Sequence, residues 1–505
     1  MNRNKQLKMN TAFGLISQFV TLVCGFIVPR LILKFYGSDV NGLTASIAHF
    51  LSFISLAECG MGAVVQSSLY KPLADSDNAQ ISNVVASSGR FFRKIGILLS
   101  VYVAFLMLTY PFLVETSFDW WYTATLVLAI SISTFVQHFI CMSYRLLLTA
   151  DQKGYIQLTI NIFTQVINTL LCVILANIGS SIQVLKLCTS MVLLLQPLFL
   201  YIYVKKHYKL EKKKNIIGEP IKQKWNGIAQ HIAYVVLENT PTVVLTFFSA
   251  ISSVSVYTVY HLVVSGIKGV VMSAISGMQS LLGNMYAKNE KETLDRTFSY
   301  YEWVMHIAVV FLFTCTSILI VPFVRVYTQG VNDANYIFPL FGVMISIGHM
   351  MFCLRLPYNA MVFAAGHYKQ TQNSAWIEAA VNIIVSVALV FKFGLVGVAI
   401  GTLAAVTYRT LYLVVYLRKN IMDRPIKIFL KHFAIDGVVV ALSWLVAASF
   451  EMNNITTYVS WVVLAIKVAF VVAIIVLVLN SIFYVDLLKG VVNKMFKKMS
   501  TDNEN

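Results

Sequence analysis

The sequence predicts an all-α polytopic membrane protein with about fourteen transmembrane helices. Of its 505 residues, 58% are hydrophobic and only 12% are charged, and the mean hydropathy is +0.73. A soluble protein of this length would carry about 25% charged residues. The apolar runs reach about 20 residues, the length that a helix needs to cross a bilayer, and they lack the alternating pattern of a transmembrane β-barrel.

The apolar runs are separated by short polar connections that contain turn signals. Pro29 is expected to bend or end the first helix, and Tyr36 and Gly37 to form the following external turn. Pro72 is expected to stop the second helix inside the cell. The predicted helices span residues 11–33, 43–66, 91–114, 121–144, 155–177, 182–204, 226–249, 253–285, 300–324, 336–362, 371–391, 395–417, 432–450 and 456–484.

Lysine and arginine are distributed unevenly between the two predicted sides of the membrane. With the N-terminus inside, 30 of the 39 Lys and Arg residues fall in internal segments, four on the external side and five within spans. Cytoplasmic loops of membrane proteins carry such an excess. The sequence therefore predicts a multi-pass protein of the bacterial plasma membrane with both termini in the cytoplasm. This topology and the attraction to anionic lipid head groups explain the net charge of +17, so nucleic-acid binding is excluded.

Two stretches of the chain resemble each other at a fixed offset. Residues 149–206 and 363–419 run parallel about 214 positions apart, so that Asn168 matches Asn382. A repeat of six helices preserves orientation in the membrane, which predicts two pseudo-symmetric six-helix lobes and two extra C-terminal helices. The predicted organisation is an N-terminal lobe (1–204), a basic cytoplasmic linker (205–225), a C-terminal lobe (226–420), and two helices with a cytoplasmic tail (421–505).

Two long apolar segments each carry a charge near their middle: Glu238 in residues 227–248 and Lys268 in residues 253–285. A charge at the bilayer centre costs roughly 2.5–3.5 kcal/mol on insertion scales, so such residues usually face a wet cavity or a partner. Helical spacing places His261 on the same stripe as Lys268. The two segments are interpreted as the wall of a transport pathway, or as helices that a buried ion pair holds together.

Further charged residues lie within the predicted spans. Arg30 either extends to the outer head groups or turns inward to attract an anion. Glu58 lies in the inner half of the second helix, and Arg355 in the inner half of the tenth. Glu378 and Arg409 lie at equal depth on consecutive antiparallel helices, roughly 10–12 Å from the cytoplasmic face, and are predicted to form a structural ion pair.

The sequence lacks the features of an enzyme. It has no GxxxxGK[ST] phosphate loop, no Ser/His/Asp arrangement and no pair of carboxylates suited to catalysis. The nine histidines are scattered, and the seven cysteines lie in apolar segments without the paired spacing of a metal site. We therefore expect no catalytic residues, no metal and no cofactor.

Several spaced motifs resemble those of one transporter family. They are PRLILKFYG (29–37), SLYKPLA (68–74), TADQKGY (149–155), LRLPYNAMVFAAGHYKQ (354–370) and GLVGVAIGTL (394–403). Together they are similar to the polysaccharide-repeat-unit flippases of the MOP exporter superfamily. These are the Wzx-type proteins of bacteria that export O-antigen, capsule and teichoic-acid units. The resemblance covers nearly the whole chain.

The resemblance implies a two-lobed bundle whose central cavity takes a lipid-linked oligosaccharide. We expect the chain to flip an undecaprenyl-diphosphate-linked repeat unit from the inner to the outer leaflet by alternating access, for capsule, exopolysaccharide, O-antigen or teichoic-acid synthesis. Expected partners are this substrate, membrane lipids, a polysaccharide polymerase and other export proteins. The candidate substrate-binding residues are Arg30, Lys268, Arg355, His261 and Glu58, with Glu238 as the coupling or gating group.

Two other functions are weighed against the flippase. A cation-coupled multidrug exporter of the related multidrug branch is the alternative. Against it, the first helix has no acidic residue and fourteen spans are predicted where twelve would be expected. A membrane scaffold without transport activity would not explain the charges at mid-depth.

Overall fold

The computed structural model describes residues 3–58, 61–114, 118–139, 142–210, 228–274, 278–452 and 454–488. Within these ranges the regular structure is helical and there is no β-strand, which confirms the predicted all-α class. Ten helices in the described ranges are long and apolar enough to cross a membrane. Most of the predicted linker, residues 211–225, lies outside the described residues.

The described residues of the first half of the chain form nine helices. Asp77 caps the fourth by accepting a hydrogen bond from the Gln80 backbone N–H, and Ser181 caps the eighth in the same way through the Val184 N–H. Their bounds are α1 Arg3–Ser52, α2 Ser55–Glu58, α3 Met61–Ala74, α4 Asn78–Leu113, α5 Trp120–Phe139, α6 Met142–Ala150, α7 Gly154–Asn177, α8 Ile182–Leu193 and α9 Leu195–His207.

The second half of the described chain also forms nine helices. Thr457 and Ser460 form a capping box at the start of the last one, and Pro339 is the first residue of the fifth. Their bounds are α10 Ile228–Phe248, α11 Ile251–Ala274, α12 Met278–Ala287, α13 Lys291–Tyr327, α14 Pro339–Leu354, α15 Leu356–Ala364, α16 Gln372–Asn420, α17 Ile426–Ala447 and α18 Tyr458–Phe483.

In two of the long helices, α1 and α16, a glycine joins two predicted spans. Helix α16 contains both of its spans, whereas α1 contains the span 11–33 and only the beginning of the span 43–66, which is interrupted after Ser52. In α1 the backbone continues through Pro29 and leaves the helical conformation at Gly37, with φ of +87°. This is the position where the sequence predicts the external turn. In α16 the corresponding break is Gly394, with φ of +52°. Glycine adopts such positive φ values without the steric penalty that a side chain would bring.

Other predicted spans are interrupted, so the prediction of one continuous helix was wrong there. The span 182–204 divides at Leu194 into α8 and α9, and the span 336–362 divides at Arg355 into α14 and α15. In each case a proline, Pro197 or Pro357, follows within three residues. Proline lacks the N–H that would bond to the carbonyl four residues earlier, and this favours a break.

The internal repeat predicted from the sequence is also present in the backbone. Helices α4 and α13 begin 213 positions apart and have 36 and 37 residues. Helices α6 and α15 begin 214 positions apart and have nine residues each. Gln152 and Gly366, which follow α6 and α15, both adopt positive φ. Equal helix lengths and turns at one offset support the predicted pseudo-symmetry.

Contacts between Cα atoms group the chain into two compact units. The first comprises Met1–Leu262, Gly330–Asn335 and Lys369–Thr402. In it α1 packs against α5, α7 and α10, and α4 packs against α5. Three hydroxyls connect these helices: Tyr110 donates to Ser46 at 2.7 Å, and the Ser46 and Thr246 oxygens lie 2.6 Å apart. These hydrogen bonds stabilise the packing, because a buried hydroxyl without a hydrogen-bond partner would cost free energy.

The second unit comprises Val263–Gln329, Tyr336–Tyr368 and Leu403–Asn505. Helix α13 is its centre, because α12, α14, α15, α17 and α18 all pack against it. Phe298, Phe313, Phe341 and Tyr358 are fully buried in this unit. The predicted division into lobes at residues 204 and 226 stays a prediction.

Candidate functional site

A polar cavity lies in the first unit between the second half of α1, α2 and α10. Its volume is about 390 Å³. Positions 234, 235, 238 and 239 of α10 recur at helical spacing and therefore form one wall. The lining residues are Ala48, His49, Ser52, Ser55, Tyr234, Val235, Glu238 and Asn239.

Hydrogen bonds hold the polar residues of this cavity in place. The Asn239 side-chain amide donates from Nδ2 to the Val235 carbonyl at 2.8 Å, so its Oδ1 is the acceptor for two neighbours. Ser52 Oγ donates to this oxygen at 2.7 Å, and His49 Nδ1 lies 2.7 Å from it. His49 Nδ1 must therefore carry a proton, which leaves Nε2 as the nitrogen that can gain or lose one.

Glu238 supplies a carboxylate to the cavity wall. It lies midway along α10, next to Asn239, and is half-buried. His231, seven residues before Glu238 on α10, has Nε2 3.0 Å from the carbonyl oxygen of the lining residue Ser55. The cavity thus combines one carboxylate with imidazole, amide and hydroxyl groups. Such groups can bind sugar hydroxyls or a cation, and they can exchange protons.

The structure places the other predicted residues of the first unit elsewhere. Arg30 is half-buried in α1 and His261 stacks on Tyr257 in α11, with ring centroids 5.4 Å apart. Neither belongs to the lining of the 390 Å³ cavity. Glu378 is buried in the first half of α16. Glu58 ends α2, and its side chain lies outside the described residues.

In the second unit the structure brings two predicted cations to one aromatic ring. Lys268 Nζ lies 4.2 Å from the centroid of the Phe352 ring, and Arg355 Cζ lies 4.6 Å from it. All three residues are buried, at 5%, 7% and 5% exposure for Lys268, Arg355 and Phe352. A cation over an aromatic face is stabilised by about 0.5–1 kcal/mol, or about 2 kcal/mol when desolvated. The ring therefore helps to keep two positive charges within a membrane-spanning bundle.

The break between α14 and α15 positions one of these cations. Arg355 is the residue at which α14 ends and α15 begins, and its backbone N–H donates to the Met351 carbonyl at 3.2 Å. Phe352 lies three residues earlier on the same helical face, so its ring is within reach of the guanidinium. Lys268 comes from α11. The sequence indicates a helix break through Pro357 and a charge within an apolar run through Arg355. Nothing in the sequence indicates that Phe352 contacts the two cations.

Sequence reasoning missed a buried ionic cluster in the second unit. Glu302 is fully buried and accepts hydrogen bonds from Tyr358 and Arg424. The Arg424 guanidinium also donates to Ser299 at 2.6 Å, and His432 Nε2 lies 3.7 Å from the Glu302 carboxylate. A charge inside an apolar run was the available signal. The predicted span begins at residue 300, which places Glu302 near its edge, whereas α13 begins nine residues earlier.

A second missed pair lies beside this cluster. His306 Nδ1 is 2.5 Å from an Asp436 carboxylate oxygen, and the His306 and His432 rings stack with centroids 4.7 Å apart. These contacts join α13 to α17, one of the two extra C-terminal helices. Arg409 is also buried in this unit, at 2% exposure. Its pairing with Glu378 stays a prediction.

The comparisons with known proteins give matches at the level of structure. No protein-family model matches the sequence, and no curated protein matches it. The lipid II flippase MurJ in an inward closed conformation is similar with a TM-score of 0.67 and 17% identity, covering 94% of this chain and 99% of that chain. The multidrug transporter DinF-BH of the MATE type has a TM-score of 0.56 and 16% identity, covering 83% and 96%.

A third similar structure is an inward-facing multidrug resistance MATE transporter of the MOP superfamily, with a TM-score of 0.53 and 15% identity. It covers 79% of this chain and 94% of that chain. At sequence identities this low, the structural similarity establishes the fold alone. This chain is a multi-pass membrane protein with the fold that a lipid II flippase shares with MATE transporters of the MOP superfamily.

Proposed function

We propose that this protein flips an undecaprenyl-diphosphate-linked oligosaccharide repeat unit from the inner to the outer leaflet of the bacterial plasma membrane by alternating access. The product would supply the synthesis of capsule, exopolysaccharide, O-antigen or teichoic acid. The physical task is to carry a diphosphate and several sugars across about 30 Å of hydrocarbon. The protein must therefore offer charged and polar groups at depths where lipid offers none.

The observation that carries this proposal is the pair of buried cations at Phe352. Lys268 and Arg355 both lie against this ring, so two positive charges come from α11 and from the α14–α15 break. A diphosphate is a compact polyanion, and hydrogen bonds from ionised donors to such groups are shorter and stronger than neutral ones. Arg355 can contact two phosphate oxygens at once through its planar fork, while Lys268 acts as a point charge.

The cavity in the first unit supports the same proposal. Tyr234, His49 and Asn239 offer an aromatic face, an imidazole and an amide, and these groups suit the alternating apolar and hydroxyl faces of sugars. Glu238 has the properties of a coupling group, since a half-buried carboxylate at mid-depth can exchange a proton with the cavity. Likeness to a lipid II flippase over 94% of this chain is consistent with a lipid-linked substrate.

The test is a flipping assay on purified protein reconstituted in vesicles. An undecaprenyl-diphosphate-linked oligosaccharide is loaded in one leaflet, and its appearance in the other leaflet is followed by cleavage with an added glycosidase. Lys268→Met should slow flipping by about ten- to a hundredfold, because a hydrogen bond to a charged group is worth about 1.5–3 kcal/mol. Lys268→Arg should retain most of the activity.

Lys467→Met is the matched control. Lys467 also lies in a membrane-spanning helix, α18, but is exposed on its surface. The control should flip at the wild-type rate, and all variants should elute as folded protein at normal yield. Wild-type flipping by Lys268→Met would refute the assigned role of this lysine.

A multidrug exporter is the second candidate. It is favoured by the likeness to the multidrug transporter DinF-BH, whose structure was determined in complex with a ligand, and by the carboxylate of Glu238 in a polar cavity. A carboxylate suits an organic cation, whereas the cations at Phe352 do not. Export of an organic cation that Glu238→Gln abolishes and Lys268→Met leaves intact would establish this function.

A further inference from the structure

A second groove lies in the first unit, between the start of α7 and the end of α9. Its volume is about 510 Å³, within the range of about 300–1,000 Å³ typical of small-molecule sites. It shares no lining residue with the polar cavity described above. The residues that line it are Tyr155, Ile156, Thr159, Ile160, Phe199, Ile202, Tyr203, Lys206 and His207.

The groove is polar at one end and apolar at the other. Helix α7 begins at Gly154 and α9 ends at His207, so Tyr155 lies at the same end of the groove as Lys206. One to two turns further into the helices the lining becomes Ile160 and Phe199. This end of both helices is the one that the lysine distribution predicts to be cytoplasmic. The gradient runs from the membrane surface into the hydrocarbon, as it does along a phospholipid.

Two contacts hold the polar end in shape. The His207 ring stacks on the Tyr203 ring with centroids 4.0 Å apart, and its Nδ1 donates to the Tyr203 carbonyl at 2.9 Å. Its Nε2 is therefore free of this bond, and it donates to an anionic ligand in the imidazolium form, in which both ring nitrogens are donors. Lys206, beside it, is exposed. Lys206 and the stacked imidazole of His207 are adjacent in the sequence, and together they are called the basic corner of the groove.

The nearby carboxylate does not neutralise this basic corner. Asp151 forms an ion pair with Lys153 at 2.7 Å and accepts a hydrogen bond from the Tyr208 hydroxyl. Burial and the hydrogen bond to Asp151 raise the pKa of Tyr208, so this phenol stays a neutral donor. The charge of Asp151 is thus already balanced within its own cluster. Lys205, Lys206 and Lys209 leave an excess of positive charge around the end of α9.

We propose that this groove binds one anionic phospholipid of the cytoplasmic leaflet. Its phosphate lies at Lys206 and His207, within reach of the Tyr155 and Tyr203 phenols, and the first part of one acyl chain lies along Ile160 and Phe199. Near an anionic membrane surface, each lysine raises the affinity for anionic lipid by about fivefold. The few polar groups of the lining suit a small head group and are too few to bind several sugars.

The repeat offers a matched control for the lysine. Lys419 lies 213 positions after Lys206, at the end of α16, and is likewise exposed. The tyrosine that corresponds to Tyr203 is Tyr416, and its hydroxyl lies 3.0 Å from His367 Nδ1. Replacement of Lys419 removes the same charge from a helix end of the same kind without touching the groove.

The experiment is native mass spectrometry of the full-length protein in detergent, titrated with phosphatidylglycerol or with phosphatidylcholine. Wild type should retain one phosphatidylglycerol more tightly than phosphatidylcholine. Lys206→Gln should weaken phosphatidylglycerol binding about fivefold, and Lys419→Gln should not. Thr159→Trp, at an exposed lining position, should fill the groove and abolish retention of this lipid. Thr125→Trp is its control, since Thr125 is also an exposed helical threonine bonded to its own backbone, on α5.

Three results would overturn the proposal. One is equal affinity for the two phospholipids in wild type. Another is phosphatidylglycerol binding by Thr159→Trp that equals that of Thr125→Trp. The third is displacement of phosphatidylglycerol by an equal concentration of an undecaprenyl-diphosphate-linked sugar, if Lys206→Gln weakens binding of that lipid to the same extent. This result would assign the groove to the transported lipid. Each variant is compared only after it elutes as folded protein.

Discussion

Removal of Arg424 should destabilise the second unit strongly, because it leaves a buried carboxylate without its cation. Glu302 is fully buried, and Arg424 is the guanidinium that donates directly to it. Tyr358 donates to the other carboxylate oxygen. Arg424→Met keeps the unbranched stem of the side chain, so the main change is the loss of the guanidinium with its charge and its hydrogen bonds.

The magnitude follows from the burial of the remaining charge. Removing one partner of a buried ion pair costs about 3–5 kcal/mol, because the other charge stays in a medium of low polarity. The hydrogen bond from Tyr358 persists, so we expect a loss near the lower limit, about 3 kcal/mol. Replacing both charges should cost less than replacing one. Glu302→Gln retains an oxygen that accepts from Tyr358 and removes the unpaired charge.

The assay is a double-mutant cycle measured by SDS-induced unfolding in mixed micelles. Arg424→Met alone should lower the free energy of unfolding by about 3 kcal/mol, and Glu302→Gln in the same chain should restore about 2 kcal/mol of it. Arg418→Met, at the exposed end of α16, is the matched control and should change stability by less than about 0.5 kcal/mol.

The reasoning would be refuted if the two substitutions simply added. Additive losses would mean that Glu302 and Arg424 do not interact energetically, although they are in contact. A single Arg424→Met variant as stable as Arg418→Met would refute it as well.

Three further predictions concern the first unit and the predicted ion pair. Glu238→Gln should leave protein abundance normal and abolish the pH dependence of flipping in vesicles; flipping that keeps its pH dependence would eliminate the coupling role. Glu378→Ala should reduce folded yield, and Arg409→Met in the same chain should restore it, as the yield on size-exclusion chromatography will show; no restoration would argue against the pair. Gly42→Ala should lower the midpoint of thermal unfolding, because a Cβ there would lie 2.1 Å from the carbonyl oxygen of the first residue of α11. Gly14→Ala, with nothing within 4 Å of the added carbon, should leave the midpoint unchanged or raise it, and equal effects of the two substitutions would contradict the close approach.

Hydropathy was sufficient to predict the all-α fold class, and matched residues were sufficient to predict the internal repeat, although several predicted spans are interrupted in the structure. These properties depend on local composition and on periodicity, which the chain carries in its order of residues. The repeat offset of about 214 positions between residues 149–206 and 363–419 reappears in the starting positions of α6 and α15, which have equal lengths. Lys268 and Arg355 could be recognised as candidates for the same reason, since a charge in an apolar run is conspicuous.

The partners of those charges were decided only by the tertiary structure. Phe352 is one of 33 phenylalanines, and nothing in the sequence distinguishes it until α11 and the α14–α15 break bring two cations to its ring. Glu302 and Arg424 are 122 positions apart, and their contact depends on how α17 packs against α13. Burial and the local dielectric are properties of the packed neighbours, so a charge is visible in the sequence whereas the group that stabilises it is not.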